Sequence, residues 1–447
     1  MNSILDVPAN LAASAAGAAT TSDLLMTNSQ DSSHHPAYFR ERQRAAWEKF
    51  EKLPMPSRTD EGWRFSDLKA ISVAQFKSPE AISESDRSAL LSRSLGLAET
   101  SGRMVFGNDR LLAQEFHGDA LRAKGVLWMP LEQAIAEQRE LIERHFMTEG
   151  AILGSQKFAA LHASQVRNGT FLYVPRGVEI ALPVECFHWS KGADASTFPH
   201  TLIIAEAMSK VTVVDHFMSA AEDSALVCGA NDIIVGDGAK VTYVAVQESN
   251  PQTLVFRINN TVVARDAAAL ALVVNLGGRY VRSEAISHLR GPGGRSDMLS
   301  ISAADGTQIV DQRTLQIHEA PNTASDLLYK NSLNDQSRTV FTGLIRVDPG
   351  AHKTDAYQKV RNLLLTDEAE ANSAPGLEIE ADDVRCTHGA TSGQVDVEEL
   401  FYLLSRGIPI REAQQLVVFG FLNEVLDRLP GESLREMLRG RLHAKLG

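Results

Sequence analysis

The spacing of apolar residues changes character twice along the chain. From Pro36 to Lys52, Phe39, Ala46, Trp47, Phe50 and Leu53 recur at three- and four-residue steps with charges between them, which predicts an amphipathic helix. Pro54 and Pro56 stop it. The turn-rich segment Leu53–Leu68 follows, carrying Trp63 and Phe65. Helices are expected again over residues 81–93 and 131–146, the second starting after Pro130, with strand possible near 103–128. From Gly169 to Leu365 the period drops to two. Val, Ile, Thr and aromatic residues alternate with polar ones between Gly, Asn and Asp turns, the pattern of short strands.

Those strands repeat. Ile203–Val214 and Ile233–Val244 align without a gap at an offset of 30, matching Lys210 with Lys240, Val211 with Val241 and Thr212 with Thr242. A third stretch, Val263–Val274, keeps the apolar ends 30 residues further on, and Phe341–Ala351 reads as a later, degenerate strand–turn unit. A fixed period of this size marks stacked units that bury their faces against one another. A β-solenoid fits best, with a β-sandwich as the competitor. After Gly389 helices return. Asp396 with Glu399 resembles a capping box; Leu400, Phe401, Leu403 and Leu404 follow, and Gly407 and Pro409 end the helix. A second helix spans about Ile410–Leu429 with Ala413, Leu416, Val417, Gly420, Phe421, Glu424, Val425 and Arg428 on one face, and Ser433 with Glu436 is expected to cap a last, basic helix. The plan is therefore a 1–34 tail, a mostly helical 35–165 segment, a β core over 166–392 and a helical 393–447 segment.

Composition narrows the chemistry. The 447 residues carry 44 Lys and Arg against 56 Asp and Glu, a formal net charge of −12, which disfavours nucleic acid or an anionic membrane as partner. No apolar run is long enough to span a bilayer. Residues 1–34 contain no Lys or Arg, unlike a secretory or mitochondrial leader, and are expected to be a disordered tail in which His34-His35 is an exposed pair. With only three, well-separated cysteines (Cys186, Cys228, Cys386) there is no disulfide framework and no CxxC site; a cytoplasmic location is expected. No Walker A, GxSxG or HExxH pattern occurs, so no ATP is expected on this chain. The Gly291–Gly294 stretch reads as a loop between strands. Cys186 and Cys228 read as small core residues, and His188, His200, His216, His288 and His318 as structural histidines.

The densest candidate is Leu377–Thr391, which alternates like strand on either side of Asp382-Asp383. Residues i and i+2 of a strand share a face, so Cys386 and His388 project together. A thiolate beside an imidazole suits iron, zinc or copper(I), yet two ligands do not complete a tetrahedral site. A partner chain or substrate would have to supply the rest, and on the residue types alone a buried structural thiol beside a hydrogen-bonded histidine is the favoured reading.

Cys386-Thr387-His388-Gly389-Ala390-Thr391, with Asn362–Leu365 and Leu377–Ile379 before it and Leu400–Ile408 after it, closely resembles the SufB/SufD family of iron–sulfur cluster assembly scaffolds in the sulfur-mobilisation (SUF) system. Leu53-Pro54 through Phe65 and Tyr173–Val178 resemble it too, so the likeness covers about residues 36–430. The resemblance is to the SufD-type branch, because the chain lacks the N-terminal CxxC and the histidine–glutamate motif of SufB-like chains. It implies a right-handed parallel β-helix between helical domains and a non-enzymatic scaffold that pairs with a SufB-like chain through the β-helix. A SufC-like ATPase would dock on the C-terminal helices around Glu399, Phe401, Tyr402, Arg406, Gly407 and Phe421. It further implies His388, and secondarily Cys386, as ligands of a transient iron or nascent cluster shared with the SufB-like chain. A cysteine desulfurase or sulfur carrier is implied upstream, and a reduced flavin somewhere in the complex. The alternatives are a SufB-like or homodimeric scaffold, or a solenoid acyltransferase or lyase; the 30-residue period and the absence of an export signal speak against the last two.

Overall fold

A computed structural model describes residues 35–447; the expected tail 1–34 lies outside the described residues. Among the described residues six α-helices come first: α1 (Ala37–Lys52), α2 (Glu84–Arg93), α3 (Asp119–Ala123), α4 (Leu131–Glu137), α5 (Arg139–His145) and α6 (Gln156–Gln165). Three come last: α7 (Val397–Ser405), α8 (Ile410–Leu426) and α9 (Glu432–Leu446). Between them Gly169–Gln394 winds as a β-solenoid of about eight turns. Its strands stack in two ten-stranded sheets that are parallel throughout the coil. Antiparallel pairs occur only at its start, where Gly102–Gly107 meets Arg110–Phe116 and Leu127–Pro130 meets Gly169–Val174. The β-solenoid favoured by the repeat is thus present rather than the competing sandwich, its strands parallel as the family resemblance implies, and the strands expected near 103–128 supply its first rungs.

The repeat is the ladder register itself. Lys210, Val211 and Thr212 lie opposite Lys240, Val241 and Thr242, and Ile203 lies opposite Ile233. The third rung departs from the expected offset. Val263 faces Val235 and Leu272 faces Val244, 28 residues apart rather than 30. A shift of two preserves the face of every side chain, where a shift of one would invert it. The corner between strands recurs as well: Met208, Gly238 and Asp266 all have φ near +60°.

Both sheets are covered on their outer faces, so the central strands are buried on both sides. One sheet lies under the N-terminal helices, where Trp47, Phe50, Trp63 and Phe158 pack on Leu226, Leu254, Phe256 and Tyr280. The other lies under α8 and α9, where Val418, Leu422, Leu438 and Leu442 pack on Val244, Leu272, Leu299 and Ile301. Ion pairs reinforce this second contact: buried Lys330 reaches Glu424, Arg428 reaches Asp326, and Lys445 reaches Asp305 at 2.7 Å.

The loop after α1 is anchored to the solenoid by charge. Arg282, Glu284, Asp311 and Arg313 are buried together on the outer sheet face. Arg282 donates to Asp311 and Glu284 at 2.8 Å and to the carbonyls of Gly62 and Leu153, while Arg313 donates to Asp311 and to the carbonyl of Arg64. The Trp63 ring lies 3.7 Å from the Arg282 guanidinium.

Several local expectations are corrected. Residues 131–146 form two helices, because Gln138 (φ −120°, ψ 46°) leaves helical geometry. Helix α6 carries no clear apolar stripe and was not expected. Helix α9 starts at Glu432 with Gly431 as its cap, so Ser433 is already inside it. In α8 the buried face is Ala413, Val418, Leu422, Val425 and Leu426, with Leu416 exposed. His35 is buried edge-on against Phe39 rather than exposed.

Candidate functional site

Arg385–Gln394 is the final strand of one sheet and Glu370–Ile379 the final strand of the other. They close the same end of the coil, and no further rung covers them. Asp382-Asp383 falls in the turn between them, as its position in the alternating segment suggests. Cys386 lies opposite Ala356 and His388 opposite Gln358. Ala356, Gln358 and Val360 are buried inside the coil, and alternation puts Cys386 and His388 on that same inward face. The interior is only partly filled at this level. Cys386 is half-buried against Ile345, Val347, Ala351 and Ala356, whereas His388 is exposed and makes no side-chain hydrogen bond or ion pair with another described residue.

The two groups differ as ligands. Burial, with the Asp355 carboxylate nearby, pushes the Cys386 thiol above its ordinary range, so it stays protonated at neutral pH and is the weaker donor. The imidazole is open to solvent. Among the described residues no group of three or more His, Cys, Asp and Glu side chains is placed to hold a metal ion. The end of the coil therefore presents part of a ligand set. It also presents two ten-residue strands whose outer edges have no neighbour among the described residues, an arrangement that invites pairing with another chain.

A second exposed feature follows in sequence. Asp396 caps α7, its carboxylate accepting from the Glu398 N–H at 2.8 Å. No residue of α7 is buried. Phe401 and Tyr402 are 69% and 56% exposed, and Val397 and Ile410 are also bare. Arg406 stacks on Tyr402, and Gly407 (φ 82°) ends the segment. Glu399, Phe401, Tyr402, Arg406 and Gly407 thus share one uncovered element. Phe421 stands apart: it is part-buried on α8, with the Lys330 ammonium 4.4 Å from its ring. Nothing in the sequence distinguished it, because an exposed and a packed phenylalanine carry the same periodicity.

The remaining candidates are structural, as expected. Cys186 and Cys228 are buried, and burial raises both thiols far above their ordinary range. His216 bonds Glu185 at 3.2 Å, His288 bonds Glu319 at 2.9 Å, and His318 bonds Thr323 and Ser325. His188 stacks between Phe106 and Phe217 with Asp215 at 3.7 Å. Gly291–Gly294 is the turn between two strands.

The pair His162–His200 yields a pH prediction. His162 Nδ1 donates to the Cys228 carbonyl at 2.7 Å, which leaves Nε2 to accept from His200 Nδ1 at 3.1 Å. His200 Nε2 faces Asp232 at 3.3 Å. Burial, then the neighbouring His200, pulls the His162 pKa down to about 3. The unfolded chain takes up this proton near pH 6.5 and the folded chain only near 3, so its stabilisation is intact above about 6.5 and declines as pH falls toward 3. The loss is about 1.4 kcal/mol per pH unit in that window. Urea unfolding at pH 7 and pH 5 should show a drop that His162→Gln reduces; equal pH slopes for the two proteins would refute the assignment.

The family described as SUF system FeS cluster assembly, SufBD core domain, matches residues 188–421, and the SufBD protein N-terminal region matches residues 22–186. The iron–sulfur cluster assembly protein SufD of Bacillus subtilis is 30% identical over 417 residues, covering 92% of this chain and 94% of the relative. The SufD protein of Escherichia coli is 31% identical over 399 residues, covering 88% and 89%. Two matches that together run through the helical segment, the coil and its open end leave one placement: the chain belongs to the SufBD family of the SUF system of iron–sulfur cluster assembly.

Proposed function

We propose that this chain is a non-catalytic scaffold subunit whose open coil end pairs with a SufB-like chain, and that iron or a nascent cluster is held at that junction with His388 as one ligand. The observation that carries the reading is the coincidence, at one end of the coil, of two terminal strands each open along one edge among the described residues and an exposed, inward-facing imidazole. A partner strand added there satisfies the open backbone edge and buries His388, with the partner supplying the ligands this chain lacks. Cys386 is a subsidiary ligand, because binding it requires removing a proton that its surroundings retain.

Helix α7 and the start of α8 take the SufC-like ATPase. Support comes from the uncovered Val397, Phe401, Tyr402 and Ile410, an aromatic and aliphatic set with Arg406 beside it, the composition of a binding hot spot. Co-expression with the SufB-like and SufC-like chains followed by affinity purification tests both contacts. Phe401→Asp with Tyr402→Asp is expected to lose most of the ATPase while keeping the SufB-like chain. Retention of the ATPase at wild-type stoichiometry would refute this docking surface.

A further inference from the structure

We propose that Gln358 is a positioning residue for His388: its side-chain carbonyl accepts the ring N–H of His388 and leaves the other ring nitrogen free for iron. This rests on the reading of His388 as an iron ligand. Gln358 is only 2% exposed and occupies the strand position directly opposite His388, on the same inward face. Side chains facing one another on neighbouring strands stand about 5 Å apart, within reach of an amide and an imidazole. Gln358 Nε2 leans toward Thr314 Oγ1 at 3.5 Å, while Oε1 is buried without a hydrogen-bond partner. A buried amide oxygen left unpaired is costly. The fold makes room for it: a Cβ on Gly343 would lie 1.8 Å from Gln358 Nε2, so any larger residue there would expel the amide.

The imidazole is equally unpartnered among the described residues. Once a neighbouring strand buries it, its non-ligating N–H needs an acceptor, and metal-bound histidines generally donate that proton to a carbonyl or carboxylate, which sets tautomer and ring angle. Gln358 Oε1 is the buried, unused acceptor one strand away. Leu327, the residue opposite Gln358 on the preceding strand, has no polar atom to offer it.

The test uses the purified complex with its partner chains, titrated anaerobically with ferrous iron. Gln358→Met removes the acceptor at similar volume, Gln358→Glu keeps one, and His388→Ala removes the ligand. The expected result is a ~10- to 100-fold weaker iron affinity for Gln358→Met, affinity near wild type for Gln358→Glu, and unchanged partner recovery and melting temperature for both. Wild-type affinity in Gln358→Met, with His388→Ala impaired, would overturn the positioning role and leave the ligand reading standing. Wild-type affinity in His388→Ala would overturn the ligand reading itself. Loss of partner chains or a lowered melting temperature in Gln358→Met would make the amide a structural strut and also overturn the proposal.

Discussion

Asp311→Ala is expected to destabilise the protein by about 3–5 kcal/mol and to release the loop that follows α1. Asp311 is fully buried and serves two buried guanidinium groups, Arg282 and Arg313, together with Ser66 and the Tyr280 hydroxyl. Burial by itself would raise its pKa, but the two arginines more than reverse that and hold it below the ordinary carboxylate range. Alanine removes the anion and leaves two cations in a space with little water, with Glu284 the remaining carboxylate. The arginines also carry the carbonyls of Gly62, Arg64 and Leu153, so the loop loses its anchor along with the charge balance. Thermal unfolding and limited proteolysis of residues 53–66 read this out together. Asp311→Asn, which keeps the shape and part of the hydrogen bonding, should lose less. A wild-type melting temperature and an intact loop in Asp311→Ala would show that the arginines are neutralised by other means.

The second large effect is at the open end. His388→Ala is expected to abolish most iron loading of the assembled complex, while leaving the chain folded and its partners bound. The imidazole makes no hydrogen bond or ion pair with another described residue, so removing it costs little stability, and any large change belongs to what it binds. Cys386→Ser should have a smaller effect on iron and a larger one on packing, because the thiol sits against Val347 and Ala356. Iron and sulfide analysis of the anaerobically purified complex, with subunit stoichiometry measured beside it, separates the two. Normal cluster content in the His388→Ala complex would remove the histidine from the ligand set.

The two experiments also bear on different parts of the molecule. The Asp311 cluster lies where the N-terminal segment meets the solenoid, under full cover. His388 lies where cover ends. A solenoid buries each rung against the next, so its last rung is half-finished unless something caps it. Here α8 and α9 pack back along the outer face instead, over Leu272, Leu299 and Ile301, and leave the end open.

The order of elements was legible in the residues themselves. Lys210-Val211-Thr212 and Lys240-Val241-Thr242 announce the coil because ladder register in a parallel solenoid is sequence offset, and a repeated triplet becomes a pair of neighbours. The period-two run around Cys386 and His388 placed both on one strand face for the same local reason. Other features are not local. Whether a strand is covered depends on what packs on it: α8 covers Leu299, while no element packs over Arg385–Gln394 among the described residues. The split of α4 from α5 turns on one residue's backbone angles. The union of Arg282, Asp311 and Arg313 with Gly62, Arg64 and Ser66 joins segments more than 200 residues apart, which no window along the chain contains. The amino-acid pattern by itself pointed to stacked strand units between helices and put Cys386 and His388 on one strand face, because those follow from spacing; the choice of a coil over a sandwich, and its parallel strands, rest on which strands pair. Only the tertiary structure decided that His388 is exposed, that the Gln358 amide opposite it has an unpaired oxygen and that α7 is bare, because exposure is set by neighbours distant in the chain.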